Sequence, residues 1–221
     1  MTDSTTDTSK ILHDLTLTPL DARDQNWETQ FLNALPHAKV SLLFSVPQVA
    51  QDNWPYMFVK TDPHGTEPLA KLMDWAARRG IGIAVNPQKK EELDYLLSYG
   101  MVWSQVFRGS VARSSTTAPE GQFEIAASTQ LQAGSPSEDF LPAVVRGTLR
   151  TFLQEQGLLQ PKILIMSTDQ KHYDLCFSLD SLESPPESEH RGIAEALSWF
   201  LPPDYSIVLC HEKGLPTFHN L

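Results

Sequence analysis

The sequence predicts an α/β (α+β) chain of two small domains: an N-terminal mixed-sheet α/β domain and a C-terminal αββαβ domain with its helices on one sheet face. Strand-type apolar runs alternate with helix-type segments, as in layered α/β architectures. A stretch rich in Gly, Ser, Thr and Pro, RGSVARSSTTAPEG, interrupts this alternation and is typical of a linker. The polar start MTDSTTDTSK offers almost nothing to bury. We therefore predict a disordered tail at 1–20, domains at 21–108 and 129–221, and a linker at 109–128.

The first domain opens with a helix at 24–35. Asp24 is a suitable N-cap, and Trp27 and Phe31 recur at helical spacing. Gly80 ends a later helix, because glycine readily adopts the left-handed conformation found at helix C-termini. The predicted order is helix 24–35, strands 39–46 and 56–60, helix 66–80, strand 81–85, helix 88–99 and strand 101–107.

The second domain reads as helix, strand, strand, helix and strand. The run KILIMS is apolar on both faces, as expected of a central strand. In the following strand Leu175 and Phe177 alternate with Asp174 and Cys176, which predicts one core face and one mixed face. The predicted bounds are short strands 123–125 and 129–131, helix 138–156, strands 162–167 and 173–179, helix 188–199 and strand 205–210.

Composition excludes several classes of protein. The chain of 221 residues is 41% hydrophobic and 20% charged, which is ordinary for a globular protein. No apolar run approaches the roughly 18–20 residues that span a bilayer, and the N-terminus does not resemble a signal peptide. We therefore expect a cytoplasmic protein without a membrane partner. In that compartment Cys176 and Cys210 are expected to be reduced thiols.

The net charge and the absence of known catalytic and phosphate-binding motifs argue against further classes of protein. A net charge of −10 argues against nucleic-acid partners, since these require Lys and Arg to displace counterions from phosphates. The chain lacks a phosphate-binding P-loop, a Gly-x-Ser-x-Gly elbow and a His-Glu-x-x-His motif. We expect no cofactor, and we assign no catalytic, cofactor-binding or metal-binding residue.

The second domain resembles a known family. The residues that carry the resemblance are GSPSEDFLPAVV from Gly134, the KILIMS strand and PPDYSIV from Pro202. They are similar to the C-terminal domain of the enhanced serine sensitivity (SseB) family, with Gly134 and Pro136 before a helix and Leu201 and Pro202 before the last strand. GIGIAVNP at 80–87 is similar to part of that family's N-terminal domain. The resemblance implies a two-domain bacterial cytoplasmic protein with no established reaction.

The leading hypothesis is a non-enzymatic protein that acts through protein–protein interaction or as a regulatory accessory factor. Its partner is another protein or, in a homodimer, a second copy. The predicted interaction face is the mixed face of the second domain, namely Asp174, Cys176, Ser178, Ser206, Val208 and Cys210. Trp54 and Trp75 are further candidates for an interface rim, where amphipathic aromatic residues are common.

Two other interpretations compete with this one. The first is a small-molecule-binding or enzymatic protein with a ligand cleft at Lys60, Arg78 and Asn86, because open α/β sheets bind ligands near the carboxyl ends of their strands. The second is a zinc site formed by His172, Cys176 and Cys210. It is less favoured than thiols that act as small hydrophobic groups, since only three ligands converge and they lie on regular strands.

Overall fold

The computed structural model describes residues 4–88, 93–111 and 131–221. Its contacts divide the chain into two compact units, Met1–Val111 and Ala112–Leu221, which we call the first and second units. Each unit combines helices with a mixed sheet, so the protein is an α+β fold of two small domains. Within the described ranges no helix has both the length and the apolarity needed to cross a bilayer.

Local capping signals set the helices of the first unit. Its described helices are α1 (Ser4–Leu15), α2 (Gln25–Ala34), α3 (Leu69–Ala77) and α4 (Tyr99–Arg108). The carboxylate of Asp24 accepts a hydrogen bond from the N–H of Trp27 at 2.8 Å, which starts α2 where the sequence predicts. The hydroxyl of Ser98 accepts from the N–H of Met101 at 3.3 Å and starts α4, which ends at Gly109 with a φ of 76°.

The sheet of the first unit is mixed, as predicted. Its described strands are β1 (Lys39–Leu42), β2 (Gln48–Val49), β3 (Pro55–Thr61), β4 (Glu67–Pro68), β5 (Gly82–Val85) and β6 (Tyr95–Leu97). The spatial order is β4-β1-β3-β5-β6, and β2 also pairs with β3. β3 and β5 are parallel and are connected through α3, since parallel neighbours need a crossover, whereas the other pairs are antiparallel.

The predicted disordered tail at 1–20 is wrong over the described part of that range. Residues 4–15 form α1, and the side chain of Leu12 is completely buried. The ring Nδ1 of His13 lies 3.2 Å from the carbonyl oxygen of Thr61, which ties the helix to the end of β3. The polar composition of the first ten residues hid this helix, because its contribution to the core rests on very few apolar side chains.

Two further elements of the first unit differ from prediction. A helix was expected at 88–99, but Tyr95–Leu97 is strand β6, in which Leu97 pairs with Ile83 of β5. A strand was expected at 101–107, but these residues belong to α4. The leucines that follow residue 92 mimic helical spacing, and the β-branched and aromatic residues of α4 mimic a strand. The cap at Ser98 marks the true boundary between strand and helix.

The second unit has the predicted αββαβ order, with a short strand added at each end. Its described elements are β7 (Gln132–Gly134), α5 (Ala143–Glu155), β8 (Lys162–Ser167), β9 (Asp174–Ser178), α6 (Glu187–Phe200), β10 (Ser206–Cys210) and β11 (His219–Asn220). The order is β10-β9-β8-β11, and β7 pairs with β8. The strand predicted at 123–125, residues 129–130 and most of the linker predicted at 109–128 lie outside the described residues. Of the strand predicted at 129–131, only residue 131 is described, and the strand there, β7, begins at the next residue.

The two faces of the second sheet have different neighbours. Helices α5 and α6 meet where the rings of Phe152 and Phe200 lie 4.7 Å apart. The opposite face carries Leu164 and Cys176, which are directly paired across β8 and β9. Among the described residues, those that pack around Leu164 and Cys176 come from strands and loops rather than from α5 or α6. Helices α5 and α6 therefore cover one face of the second sheet, as the sequence predicted.

Candidate functional site

The interaction face predicted for the second unit lies on β9 and β10. These strands are parallel, with Val208 opposite Cys176 and Cys210 opposite Ser178, so the predicted residues share one face of the sheet. Cys176 and Ser178 are fully buried. The predicted residues that remain partly exposed are Asp174, Ser206, Val208 and Cys210.

This face is covered in part by the end of the chain itself. Phe218 is 5% exposed and packs with Leu164, Met166 and Cys176, and Leu215 packs against the same cluster. β11 then pairs with β8, which holds this segment in place. The centre of the predicted interaction face therefore belongs to the core of the second unit. The sequence carried little signal for this, since GLPTFHNL contains no recognisable strand pattern.

The two cysteines of this face are free thiols, and Cys210 packs against the buried cluster that contains Cys176. The neighbouring Cys210 thiol and burial raise the pKa of Cys176, whereas the neighbouring Cys176 thiol lowers the pKa of Cys210. The sulfur of Cys176 also lies 3.8 Å from the carbonyl oxygen of Asp174. His172 does not join them, because its ring is bound to Asp169 in an exposed turn, Nδ1 to Oδ2 at 2.6 Å. Among the described residues, no group of three His, Cys, Asp or Glu side chains is arranged to hold a metal ion.

A polar cluster closes the carboxyl ends of β9 and β10. The buried hydroxyl of Ser178 donates to the carboxylate of Glu212 at 2.7 Å, and Lys162 pairs with the same carboxylate at 3.1 Å. Asp180 accepts from the N–H of Glu212 and from His211, and these bonds hold the pKa of Asp180 below its usual value. These contacts bind the two strand ends together, so we interpret the cluster as structural.

The candidate ligand cleft of the first unit is not assembled. Asn86 follows β5 directly, but it is buried and its side chain is engaged internally. Its Oδ1 accepts from the N–H of Thr61 at 2.8 Å, and its Nδ2 donates to Thr61 Oγ1 at 2.9 Å and to Asp94 Oδ2 at 2.6 Å. The carboxyl end of the parallel pair β3 and β5 is therefore filled by the protein's own side chains.

Arg78 lies at the other end of β5, and the side chain of Lys60 lies on the other face of β3. Arg78 follows α3 and precedes β5, so the length of β5, roughly 13 Å at about 3.3 Å per residue, separates it from Asn86. Its guanidinium is half exposed and pairs with Asp74 at 2.9 Å. Strand alternation places Lys60 on the face opposite to Thr61, the residue that Asn86 binds. The structure thus does not bring the three predicted residues together.

Behind Asn86 lies a buried ion pair that the sequence did not reveal. Arg23 and Asp94 are 2.6 Å apart, with side chains that are 8% and 1% exposed. The guanidinium also donates to the carbonyl oxygens of Thr18 and Asp94 and lies over the ring of Trp27 at 4.6 Å. A buried pair with every charge hydrogen-bonded positions a chain segment strongly. Here it anchors the residues after α1 to the start of β6.

The most exposed apolar region of the first unit was also missed. Leu42 is 39% exposed, Phe44 48%, Val46 58% and Val49 70%. These residues define what we call the 42–49 segment, which runs from the end of β1 to the end of β2. Phe44 packs edge-on against Phe58 at 6.0 Å. The sequence predicted a buried strand over 39–46, since apolar composition cannot distinguish a buried strand from an exposed apolar surface.

Hydrogen bonds hold the 42–49 segment in a defined shape. Gln48 pairs with Tyr56 across β2 and β3, and its side-chain amide donates to the carbonyl oxygens of Val46 and Pro47 at 3.1 and 3.0 Å. The carboxylate of Asp52 accepts from the N–H of Trp54 at 3.1 Å and from the hydroxyl of Tyr56 at 2.7 Å. The apolar side chains are therefore presented on an ordered backbone.

Comparisons with protein-family models, with curated proteins and with solved structures each find no match. The function proposed below therefore rests on the sequence and on the two units themselves.

Proposed function

We propose that this protein acts by binding another protein through the 42–49 segment, in the cytoplasm, as an accessory factor of the SseB type. The observation that carries the proposal is the concentration of large exposed apolar side chains at Phe44, Val46 and Val49. Exposed apolar residues that occur singly need no explanation, whereas a concentration of them marks an interaction surface.

The chemistry of the segment favours a protein partner. No charged residue occurs from Ser41 to Gln51. Depletion of charge and enrichment in aromatic and aliphatic side chains characterise the centre of protein–protein interfaces. The hydrogen bonds of Gln48 and Asp52 order the backbone beforehand, which reduces the entropy lost on binding. The resemblance of the second unit to the SseB family agrees with an accessory role, because that family has no established reaction.

The proposal is tested by site-specific photo-crosslinking of the full chain in its native host. A benzophenone side chain replaces Phe44 in one variant and Leu159, which is 76% exposed in the second unit, in a control. We expect one discrete protein adduct from position 44 that position 159 does not form. An adduct that joins two copies of this chain would instead identify a homodimer and overturn a separate partner.

Affinity for the captured partner then provides the quantitative test. We expect Val49→Asp to weaken binding by about tenfold or more, since a carboxylate would be desolvated in an apolar interface. The matched control is Leu17→Asp, at a side chain 66% exposed outside the segment, which is expected to leave the affinity unchanged. Equal effects of the two substitutions would contradict the proposal.

A further inference from the structure

We propose that β10 is the strand through which two copies of this chain pair, edge to edge and antiparallel, into a homodimer. β10 is the outermost strand in the order found among the described residues of the second sheet. An edge strand presents backbone N–H and C=O groups that allow a strand of a second chain to extend the sheet. This contact is independent of the proposed function, because the 42–49 segment belongs to the first unit.

The outer edge of β10 lacks the protection that the other described edges have. β2, β4 and β11 are two residues long, β6 and β7 are three residues long, and β4 contains Pro68. Short strands, proline, charged side chains and bulges are the usual means of preventing edge-to-edge pairing. Ser206–Cys210 contains no charge and no proline, and its five register pairs with β9 are consecutive. It is therefore the longest unprotected edge in the part of the chain that the structure describes.

The hydrogen bonds to β9 show which backbone groups of β10 point outward. The carbonyl oxygen of Cys210 accepts from the N–H of Leu179 at 2.9 Å, so the backbone groups of Cys210 face β9. Successive residues of a strand turn these groups to opposite sides, so those of Ile207 and Leu209 face away from β9. All five residues of β10 are partly exposed. An added strand therefore meets two N–H and two C=O groups here.

The side chains of β10 favour a second copy as the added strand. The sequence SIVLC is symmetric in character about Val208, with a large aliphatic side chain on either side and a small one at each end. An antiparallel copy centred on Val208 places Ile207 opposite Leu209 of the second copy and the two valines opposite each other. Such aliphatic cross-strand pairs stabilise a sheet. In the same register the outward groups of Ile207 and Leu209 form four hydrogen bonds between the chains.

The charges beyond the ends of β10 agree with an antiparallel arrangement. Asp204 precedes the strand, Lys213 follows it, and both are exposed, so the pairing brings these opposite charges to the same end of the contact. Glu212 falls opposite Asp204 of the second copy, but its carboxylate is already paired with Lys162 at 3.1 Å and with the hydroxyl of Ser178. A parallel copy would instead place like charges side by side, which is destabilising.

Contacts at both ends hold β10 in place before a second chain binds. The ring of Tyr205, just before the strand, stacks on that of Phe140 with centroids 4.4 Å apart. Just after the strand, His211 and the N–H of Glu212 bind the carboxylate of Asp180 at 2.8 and 2.7 Å. An edge that is already ordered loses little entropy on pairing.

The geometry of the contact sets its stoichiometry and its strength. Each copy occupies the edge of the other, so the contact is isologous and the assembly closes at two chains. A strand of five residues is much smaller than the roughly 20–30 residues per side of a standard stable interface. We therefore expect a reversible dimer with a Kd in the micromolar range.

Sedimentation velocity of the unaltered full chain, at about 1 to 500 µM, tests the pairing. We expect the weight-average mass to rise with concentration from that of one chain toward that of two. A mass that stays at one chain over the whole range would overturn the proposal, and so would a mass that grows beyond two chains.

Val208→Lys locates the contact. In the proposed register two lysines would face each other directly, and like charges in that position are destabilising, so we expect dimerisation to weaken by about tenfold or more. The matched control is Ala133→Lys, which adds the same charge to an exposed position on the same face of the sheet, but on β7. We expect it to leave the dimer unchanged. Equal dimerisation of Val208→Lys and the unaltered protein would contradict pairing through β10.

Cysteine crosslinking tests the register, with milder substitutions that keep the test open if Val208→Lys does not fold. The background is Cys210→Ser, since Cys176 is fully buried. Val208→Cys places two thiols at a non-hydrogen-bonded pair with Cα atoms about 4.5 Å apart, within the range of a disulfide. Ile207→Cys places its two thiols on a diagonal of roughly 8 Å, outside that range. On mild oxidation we expect at least about tenfold more linked dimer from Val208→Cys, and equal amounts would overturn the register.

Discussion

Asn86 shows how a single residue closes the most obvious ligand position of the first unit. Its φ of 53° lies in the left-handed region, which asparagine tolerates better than most residues. This backbone conformation accompanies the three hydrogen bonds that its amide makes to Thr61 and Asp94. A side chain that the sequence presented as a ligand contact therefore serves to join β3, β5 and the start of β6.

Replacement of Asn86 is expected to weaken the first unit. Asn86→Ala removes the amide and leaves the N–H of Thr61 and the carboxylate of Asp94 short of partners, so we expect the free energy of unfolding to fall by about 2–4 kcal/mol. The measurement is urea unfolding of the full chain. Asn53→Ala is the matched control, because Asn53 has a similar φ of 65° but is exposed. Asn53→Ala is expected to lower the free energy of unfolding by about 1 kcal/mol, because alanine is less favourable than asparagine in the left-handed conformation. Equal losses would show that the amide bonds contribute nothing.

Among the secondary-structure elements of the first unit, α1 differs most from the prediction. The sequence predicted disorder there, whereas the structure buries Leu12 completely and leaves its neighbour Ile11 47% exposed. The carbonyl oxygen of Leu15 accepts a hydrogen bond from the indole of Trp27 at 2.9 Å, which links α1 to α2. The helix is thus part of the core rather than an appendage.

The pair Leu12 and Ile11 gives a direct test of α1. We expect Leu12→Ala to lower the free energy of unfolding by about 2–5 kcal/mol, because it opens a cavity in a closed core. Ile11→Ala, on the exposed side of the same helix, is expected to change it by about 0.5 kcal/mol or less. Both are measured by denaturant unfolding followed through tryptophan fluorescence. If residues 4–15 did not pack on the unit, the two variants would behave alike.

The segment from Asp94 to Arg108 shows why element boundaries escaped prediction. The ring of Tyr95 packs against that of Phe31 at a tilt, with centroids 5.0 Å apart, and Asp94 pairs with Arg23, so both residues are held by partners distant in sequence. Those contacts favour a strand where local leucine spacing favours a helix. In the second unit, by contrast, the KILIMS run, the alternation around Phe177 and the prolines that flank α6 agree with the fold, and β8, β9 and α6 were predicted to within one residue of their ends. Helix α5 begins at Ala143, five residues after the predicted start.

The chain divides into two compact units, and a glycine in each unit has a different steric environment. A Cβ at Gly82 would lie 2.5 Å from the Tyr56 ring and 2.6 Å from the backbone oxygen of Leu97, whereas one at Gly147 meets nothing within 4 Å. Gly82 thus has a steric reason to be glycine in the middle of a sheet. Gly147, in the interior of α5, has none.

We expect opposite effects from alanine at these two positions. Gly82→Ala should destabilise the first unit, because the new methyl group meets backbone that cannot move. Gly147→Ala should stabilise the second unit by about 0.5–1 kcal/mol, since alanine is the better helix former. Hydrogen exchange measured by mass spectrometry resolves the two units. We expect faster exchange in the first unit of Gly82→Ala and slower exchange in the second unit of Gly147→Ala. Unchanged exchange in the first unit of Gly82→Ala would contradict the steric argument.

The sequence by itself determined the α+β class and the αββαβ order of the second unit, because periodicity, caps and prolines are local signals that agree with the final fold. Only the tertiary structure decided that α1 joins the first core, that Asn86 faces inward, that the end of the chain covers the Cys176 face, and that the 42–49 segment stays exposed. Each of these depends on partners far apart in the chain. The apolar or polar character of a segment does not determine whether a distant segment packs against it.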